Sequence, residues 1–275
     1  MKASTDRTFH YHADASPLGG HITHPIENII HTQASTSLAQ AGGHAESRIE
    51  SYKLDNSVTV TSGPAYSHTT GVLNKKNGTW TTLVTSVVEN LNVLEVVTAD
   101  RIVSKLHVEY PQEGDHPRIS IIGSKYLNLR VNGESINPVL DIDLLKSESK
   151  SEFPDKHLMD EKVFNNKVSS HYKKITETKG APEWLARRHA SMKSPESRKK
   201  KGYVLCSLVE ELQGARPGMS FGHVLYVPGF GNIFFGELVV APNSYRLTMI
   251  RIEMGCLADG NISVASAFSN GVTSP

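Results

Sequence analysis

A chain of 275 residues with 38% hydrophobic and 21% charged side chains carries enough apolar material for a core, which excludes a disordered protein. Its 29 Lys and Arg against 28 Asp and Glu leave a formal net charge of +1, so there is no global electrostatic pull toward nucleic acid or membrane, and any such binding has to be local. Two cysteines, Cys206 and Cys256, exclude a disulfide-dense scaffold and a four-cysteine zinc site, and both are expected as small buried thiols in neighbouring strands.

The segment Met1 to Asp6 lacks the apolar stretch of a secretory signal, and no run of about 18 apolar residues follows, so no membrane span is expected. An extracellular or cell-surface location is expected only for a form that has lost a leader. From Phe9 to Leu145 β-branched and aromatic residues recur with period two between short polar breaks, the pattern of half-buried strands. In Asp100 to Glu109, Ile102, Ser104, Leu106 and Val108 share one face, while Arg101, Lys105, His107 and Glu109 share the other. Further strands are predicted at Ser57 to Thr61, Trp80 to Val88, Ile119 to Ile122 and Leu127 to Val131, the last with Leu127, Leu129 and Val131 on one side. Asn77-Gly78 and Asn132-Gly133 supply the positive φ angles of tight hairpin turns. Leu140, Ile142 and Leu144 close this first β block, residues 1–145, with Asp141 and Asp143 facing outward.

Between residues 146 and 201 the alternation stops and Lys, Ser and Glu dominate, which marks an inserted helical segment. Phe164, Val168, Tyr172 and Ile175 fall on one face of an amphipathic helix, and a second short helix is predicted from about Pro182, carrying Trp184 and Leu185. From Lys150 to Lys201 there are 14 Lys or Arg against seven Asp or Glu, so this stretch carries +7 and the remainder, by subtraction from +1, carries −6. Its densest part, Arg198-Lys199-Lys200-Lys201, is a candidate contact for a polyanion or a protein partner. Docking of the basic arm on the acidic remainder, in the same or a neighbouring copy, is the competing reading.

Residues 202–275 return to β, with strands predicted at Gly222 to Val227, Asn232 to Val240, Tyr245 to Met254 and Asn261 to Ala267. The two β blocks are expected to share one core. The fold class read from this pattern is all-β, a sandwich, barrel or β-roll, with one inserted basic α-helical segment.

No catalytic or cofactor-binding residues stand out: there is no Gly-x-Ser-x-Gly elbow and no phosphate loop, and Gly229-Phe230-Gly231 reads as a turn with a close backbone approach. Seven of thirteen histidines precede residue 70, namely His10, His12, His21, His24, His31, His44 and His68. On a strand, His10, His12 and Asp14 project from one face about 7 Å apart per pair, a spacing that allows two or three of them to meet one divalent metal ion. The run His10-Tyr11-His12-Ala13-Asp14-Ala15 resembles the His-x-His-x-Asp-His motif of metallo-β-lactamase-like hydrolases, with Ala15 standing where that family places a histidine for its second metal.

The stretch Asn90 to Asp100, with Gly123-Ser124 and Leu127 to Gly133 after it, resembles the choice-of-anchor P family of bacterial surface proteins. Tyr245 to Ile252 and Ile262 to Ala267 are similar to that family's last two strands. The resemblance covers about half of the chain and implies a β-rich extracellular module without assigned catalytic residues. The expected function is therefore a non-catalytic structural or binding protein, self-assembling or bound to another protein, with no cofactor. The alternatives are a metal-dependent enzyme using His10, His12 and Asp14, and a polyanion-binding protein using Arg198 to Lys201.

Overall fold

A computed structural model describes residues 8–25, 27–55, 59–112, 116–216, 218–255 and 258–274. The predicted strand at Ser57 to Thr61 falls partly outside these residues, and whether Cys256 pairs lies outside them altogether. Cys206 is a buried free thiol, pushed up to about 12 by desolvation.

Two large sheets pack face to face, and every pairing among the described residues is antiparallel. The first has nine strands, in the order Ser220–Phe221, Val224–Val227, Gly231–Ala241, Ser244–Met254, Asp259–Ser274, Thr8–His24 and Asn28–Gln33, with Val204–Ser207 and Thr36–Ser37 attached at the sides. The second has ten, built around the hairpin Thr79–Val93 and Val97–Pro111. A two-stranded ribbon, Asn137–Leu140 with Val209–Gln213, joins the β blocks. Thr8–His24 thus lies in the sheet of the C-terminal block, and a single hydrophobic core includes residues of both blocks and of the helical segment. No helix among the described residues is long and apolar enough to cross a membrane.

Aromatic side chains join the two sheets. Phe9 stacks on Trp80 at 4.9 Å and meets Tyr110 at 4.9 Å, both across the interface, while Tyr11 of its own strand packs edge-on at 4.7 Å. Such rings bury large areas and add an orientation-dependent gain of about 0.5–1.5 kcal/mol per pair. Gly271 makes room for them, because a Cβ there would overlap the Phe9 ring and stand 2.8 Å from Tyr110.

The strands obey the predicted alternation only in halves. In Thr8–His24 the buried positions are odd through Pro17 and then even, at Leu18 and Ile22; in Asp259–Ser274 they are even through Val264 and odd from Ala265. Gly236 (φ 59°) and Ala265 (φ 51°) adopt left-handed backbone in this row. Since successive side chains of a strand point to opposite faces, one left-handed residue displaces the alternation by one step. All the long strands reverse at the same row, so the ladder keeps its offset: Phe235 pairs with Ile250 and Glu237 with Thr248. In the second sheet Asn90 (φ 48°) marks the equivalent change between Val88 and Leu91.

Some local expectations need correction. Leu127 to Val131 is not one strand: Asn128 (φ 50°) divides it into Lys125–Leu127 and Arg130–Val131, leaving Leu127 exposed while Leu129 and Val131 are buried. Ile142 points to solvent, because the chain turns after Leu140. Asn132-Gly133 makes the tight two-residue turn, whereas Asn77-Gly78 ends a four-residue connection in which Gly78 alone of the two has positive φ.

Filling the Gly271 space should be costly. Gly271→Ala is expected to destabilise by about 1–3 kcal/mol through overpacking, read as a lower melting temperature in thermal unfolding; an unchanged melting temperature would show that the Phe9 ring has room to move.

Candidate functional site

Three helices of the inserted segment lie over the outer face of the first sheet, and the reversal at Gly236 decides what they meet. Phe235 faces the second sheet, where Tyr126 packs edge-on against it at 6.1 Å. Phe234 and Glu237, three residues apart, would face opposite ways in a regular strand; here both face the helices.

Helix α1 (Lys162–Glu177) buries Phe164, Val168 and Ile175. His171 stands three residues after Val168 and four before Ile175, hence on the same stripe; like Tyr172 it is half-buried, with its Nε2 covered. Gly222 (φ 61°) lets this helix come close, because a Cβ at that position would lie 2.8 Å from Ile175 Cγ1 and 3.0 Å from His171 Nε2. Helix α2 (Glu183–Arg188) begins after Pro182 and ends at His189, where the backbone leaves helical geometry. His189 Nδ1 is 3.1 Å from the Leu185 carbonyl oxygen. A carbonyl only accepts, so Nδ1 carries the proton and Nε2 presents a lone pair.

These elements gather around His223, which follows Gly222 and is fully buried. Its ring centroid is 5.1 Å from that of His171 and 5.0 Å from that of His189, both rings edge-on to it. One ligating atom each from His189, His223 and Glu237 lies within 4.8 Å of the others. Both ring nitrogens of His223, and Nε2 of His171 and of His189, are buried without a hydrogen-bond partner. Buried polar atoms left unpaired cost about 1–3 kcal/mol each, so these bare ring nitrogens favour a bound partner.

The electrostatics keep these rings neutral. Burial pushes His171 and His189 down to about 4, and it holds His223 well below the usual histidine range, with the neighbouring imidazoles and Arg188 acting in the same direction. Arg188 closes one side of the cluster: its guanidinium donates to Glu237 at 2.9 Å and to Glu253 at 2.9 Å, and lies 4.2 Å above the Phe234 ring. Desolvation opposes the charge on Arg188, but the two carboxylates outweigh it and raise its pKa. Burial pushes the Glu237 carboxyl up, and Arg188 works against that rise. Arg188 binds Oε1 of Glu237.

The residues singled out by sequence fare differently. His10, His12 and Asp14 do share the outer face of Thr8–His24, and His12 Nε2 is 3.1 Å from Asp14 Oδ2, but His10 Nε2 is directed to Ser274 Oγ at 2.9 Å, so the three do not converge on one point. Arg198 is not a surface contact: it is 1% exposed and donates to the Met192 carbonyl at 2.9 Å within the insert. The candidate basic patch is thereby reduced to Lys199, Lys200 and Lys201, which are exposed on helix α3 (Pro195–Lys201). The sequence reading missed His171, His189 and His223, which stand far apart in the chain; the one signal available was the position of His171 on the buried stripe of α1.

Among known proteins, the family described as "Domain of unknown function (DUF8256)" matches residues 9–241. No curated protein and no solved structure matches the chain.

Neutral buried imidazoles make stability depend on acid. His189 titrates at about 4 in the folded protein and at 6.5 when unfolded, so between these values the unfolded chain binds more protons and stability is lost as the pH falls through the window. For this wholly buried ring the loss by pH 4 is about 3 kcal/mol. Urea unfolding in the presence of a chelator at pH 7 and pH 4.5 should show the drop, and His189→Leu should lessen it by the share of this ring; an unfolding free energy constant across that range would contradict the assignment.

Proposed function

The chain therefore belongs to the DUF8256 family, whose description assigns no activity, and from the buried cluster we propose a non-catalytic binding protein in which one transition-metal ion clamps the helical segment to the β-sandwich. The single observation that carries this reading is the pair of bare, buried ring nitrogens on His223, set beside His189 Nε2 and the Glu237 carboxylate. Imidazole and carboxylate donors together suit Zn²⁺ or Fe²⁺ rather than Ca²⁺ or Mg²⁺, which prefer oxygen alone. Bonds of about 2.1 Å would draw the three ligands inward by about an ångström, and the His171 ring packs edge-on against His223 at 5.1 Å beside them. The Nδ1–H of His189 on the Leu185 carbonyl and Arg188 on Glu237 are outer contacts of the kind that orient metal ligands.

Closure supports a structural rather than a catalytic centre, since structural sites keep no open position: His189 and His223 are 0% exposed and Glu237 is 5% exposed. The ligands also come from different elements. His189 belongs to the insert, His223 and Glu237 to the sheet, so an ion held among them would add its binding free energy to the docking of one on the other. We read the whole as a surface-associated module of the choice-of-anchor P type, because most of the residues that carry that resemblance fall on the central hairpin Thr79–Val93 with Val97–Pro111, on the short strands Lys125–Leu127 and Arg130–Val131 paired with it, and on the neighbouring pair Ser244–Met254 and Asp259–Ser274 of the other sheet.

Elemental analysis of untagged protein should find about one zinc or iron per chain, and removal by a strong chelator should lower the melting temperature by several degrees. His223→Leu keeps an apolar filling where the ring stood and should yield folded protein with no metal at the buried centre, while Glu237→Gln should bind there at least tenfold more weakly. Metal-free protein whose melting temperature does not respond to added Zn²⁺ or Fe²⁺ would overturn the proposal.

A further inference from the structure

A second group of ligand-bearing side chains stands on the outer face of the other sheet, remote in sequence from the buried centre. Strands Gly43–Ile49 and Ala65–Asn74 pair so that Glu46 is directly opposite His68 and His44 is opposite Thr70. His44 and Glu46, two residues apart on one strand, share a face, and the cross-strand partner of Glu46 completes a triangle. One ligating atom each from His44, Glu46 and His68 lies within 4.8 Å of the others.

The geometry within the triangle suits a chelate better than an ion pair. Glu46 Oε2 is 3.6 Å from His44 Nε2 and 3.6 Å from His68 Nδ1, too far for a hydrogen bond to either. The two rings lie near parallel, with centroids 5.9 Å apart. His44 Nδ1 meets the Thr70 hydroxyl at 3.0 Å, which fixes the ring and turns Nε2 toward the carboxylate. Tyr66 packs edge-on against His68 at 5.9 Å and braces the other ring. All three ligands reach solvent, unlike those of the buried centre.

We propose that His44, Glu46 and His68 form a solvent-accessible site for a divalent transition metal, with two imidazoles and one carboxylate as protein ligands and the remaining positions open to water or to a donor from another molecule. The nitrogen donors select Zn²⁺, Ni²⁺ or Cu²⁺ over Mg²⁺ and Ca²⁺. The ligands sit on a rigid ladder, so little ordering is needed before the ion binds. This site does not depend on the buried cluster, and the two can fail separately.

Calorimetric titration of untagged protein with Ni²⁺ at neutral pH, after saturation of the buried centre with zinc and removal of excess, tests it. One further equivalent is expected at micromolar affinity. His68→Ala and Glu46→Gln should each weaken it at least tenfold with the melting temperature unchanged, since both side chains stand on the sheet surface; His12→Ala should leave it intact. The His223→Leu protein should still bind Ni²⁺ here, which separates this site from the buried one. Absence of the further equivalent, its survival in both His68→Ala and Glu46→Gln, or its loss in His12→Ala would overturn the proposal.

Discussion

The row of reversed alternation through Gly236 is the constraint on which the rest depends. A β-sheet with one buried face presents its other face to water, and a residue's parity then fixes its side. Left-handed backbone at Gly236 and Ala265, in the two strands that flank Ser244–Met254, breaks that rule at one level without changing the register of the ladders. As a result Phe235 fills the space between the sheets while Phe234 and Glu237 both meet the helices. Without that reversal Arg188 would find either the ring or the carboxylate, but not both.

Charge then determines how the insert sits. The basic segment docks on the acidic body through Arg188 to Glu237 and Glu253, and through Lys167 to Asp141 at 2.7 Å. These pairs differ in weight. Glu237 is buried and cannot lose its partner without a large penalty, whereas the half-exposed Lys167 pair is screened by solvent and contributes less. Arg198 shows that a run of basic residues is not always a surface patch, since its guanidinium is spent on carbonyl groups of the turn at Ser191 and Met192.

Much of the fold was legible because period two and period 3.6 are set by backbone geometry, and strands such as Val97–Pro111 and helix α1 follow them. Helix α3, which was not predicted, carries local signals of its own: Ser194 caps it, Pro195 occupies its first turn and Gly202 ends it in left-handed backbone. The candidate site was harder to see for a physical reason. Its histidines lie at 171, 189 and 223, and only the packing of two helices on one sheet makes them neighbours. The N-terminal histidines were conspicuous through their spacing along one strand, but that spacing leaves their side chains pointing to solvent, with His10 turned to Ser274.

The pairing of Thr8–His24 with Asp259–Ser274 has a kinetic side. These two strands form the most extensive ladder of the first sheet, yet about 250 residues separate them along the chain. Contacts between residues so distant carry a loop-closure cost that must be met before the ladder stabilises anything, and proteins dominated by them fold slowly. During synthesis the strand bearing Phe9 and Tyr11 leaves the ribosome long before its partner exists. Its aromatic side is exposed for that interval, and its outward histidines and Asp14 keep the other side polar, which favours solubility while the strand waits.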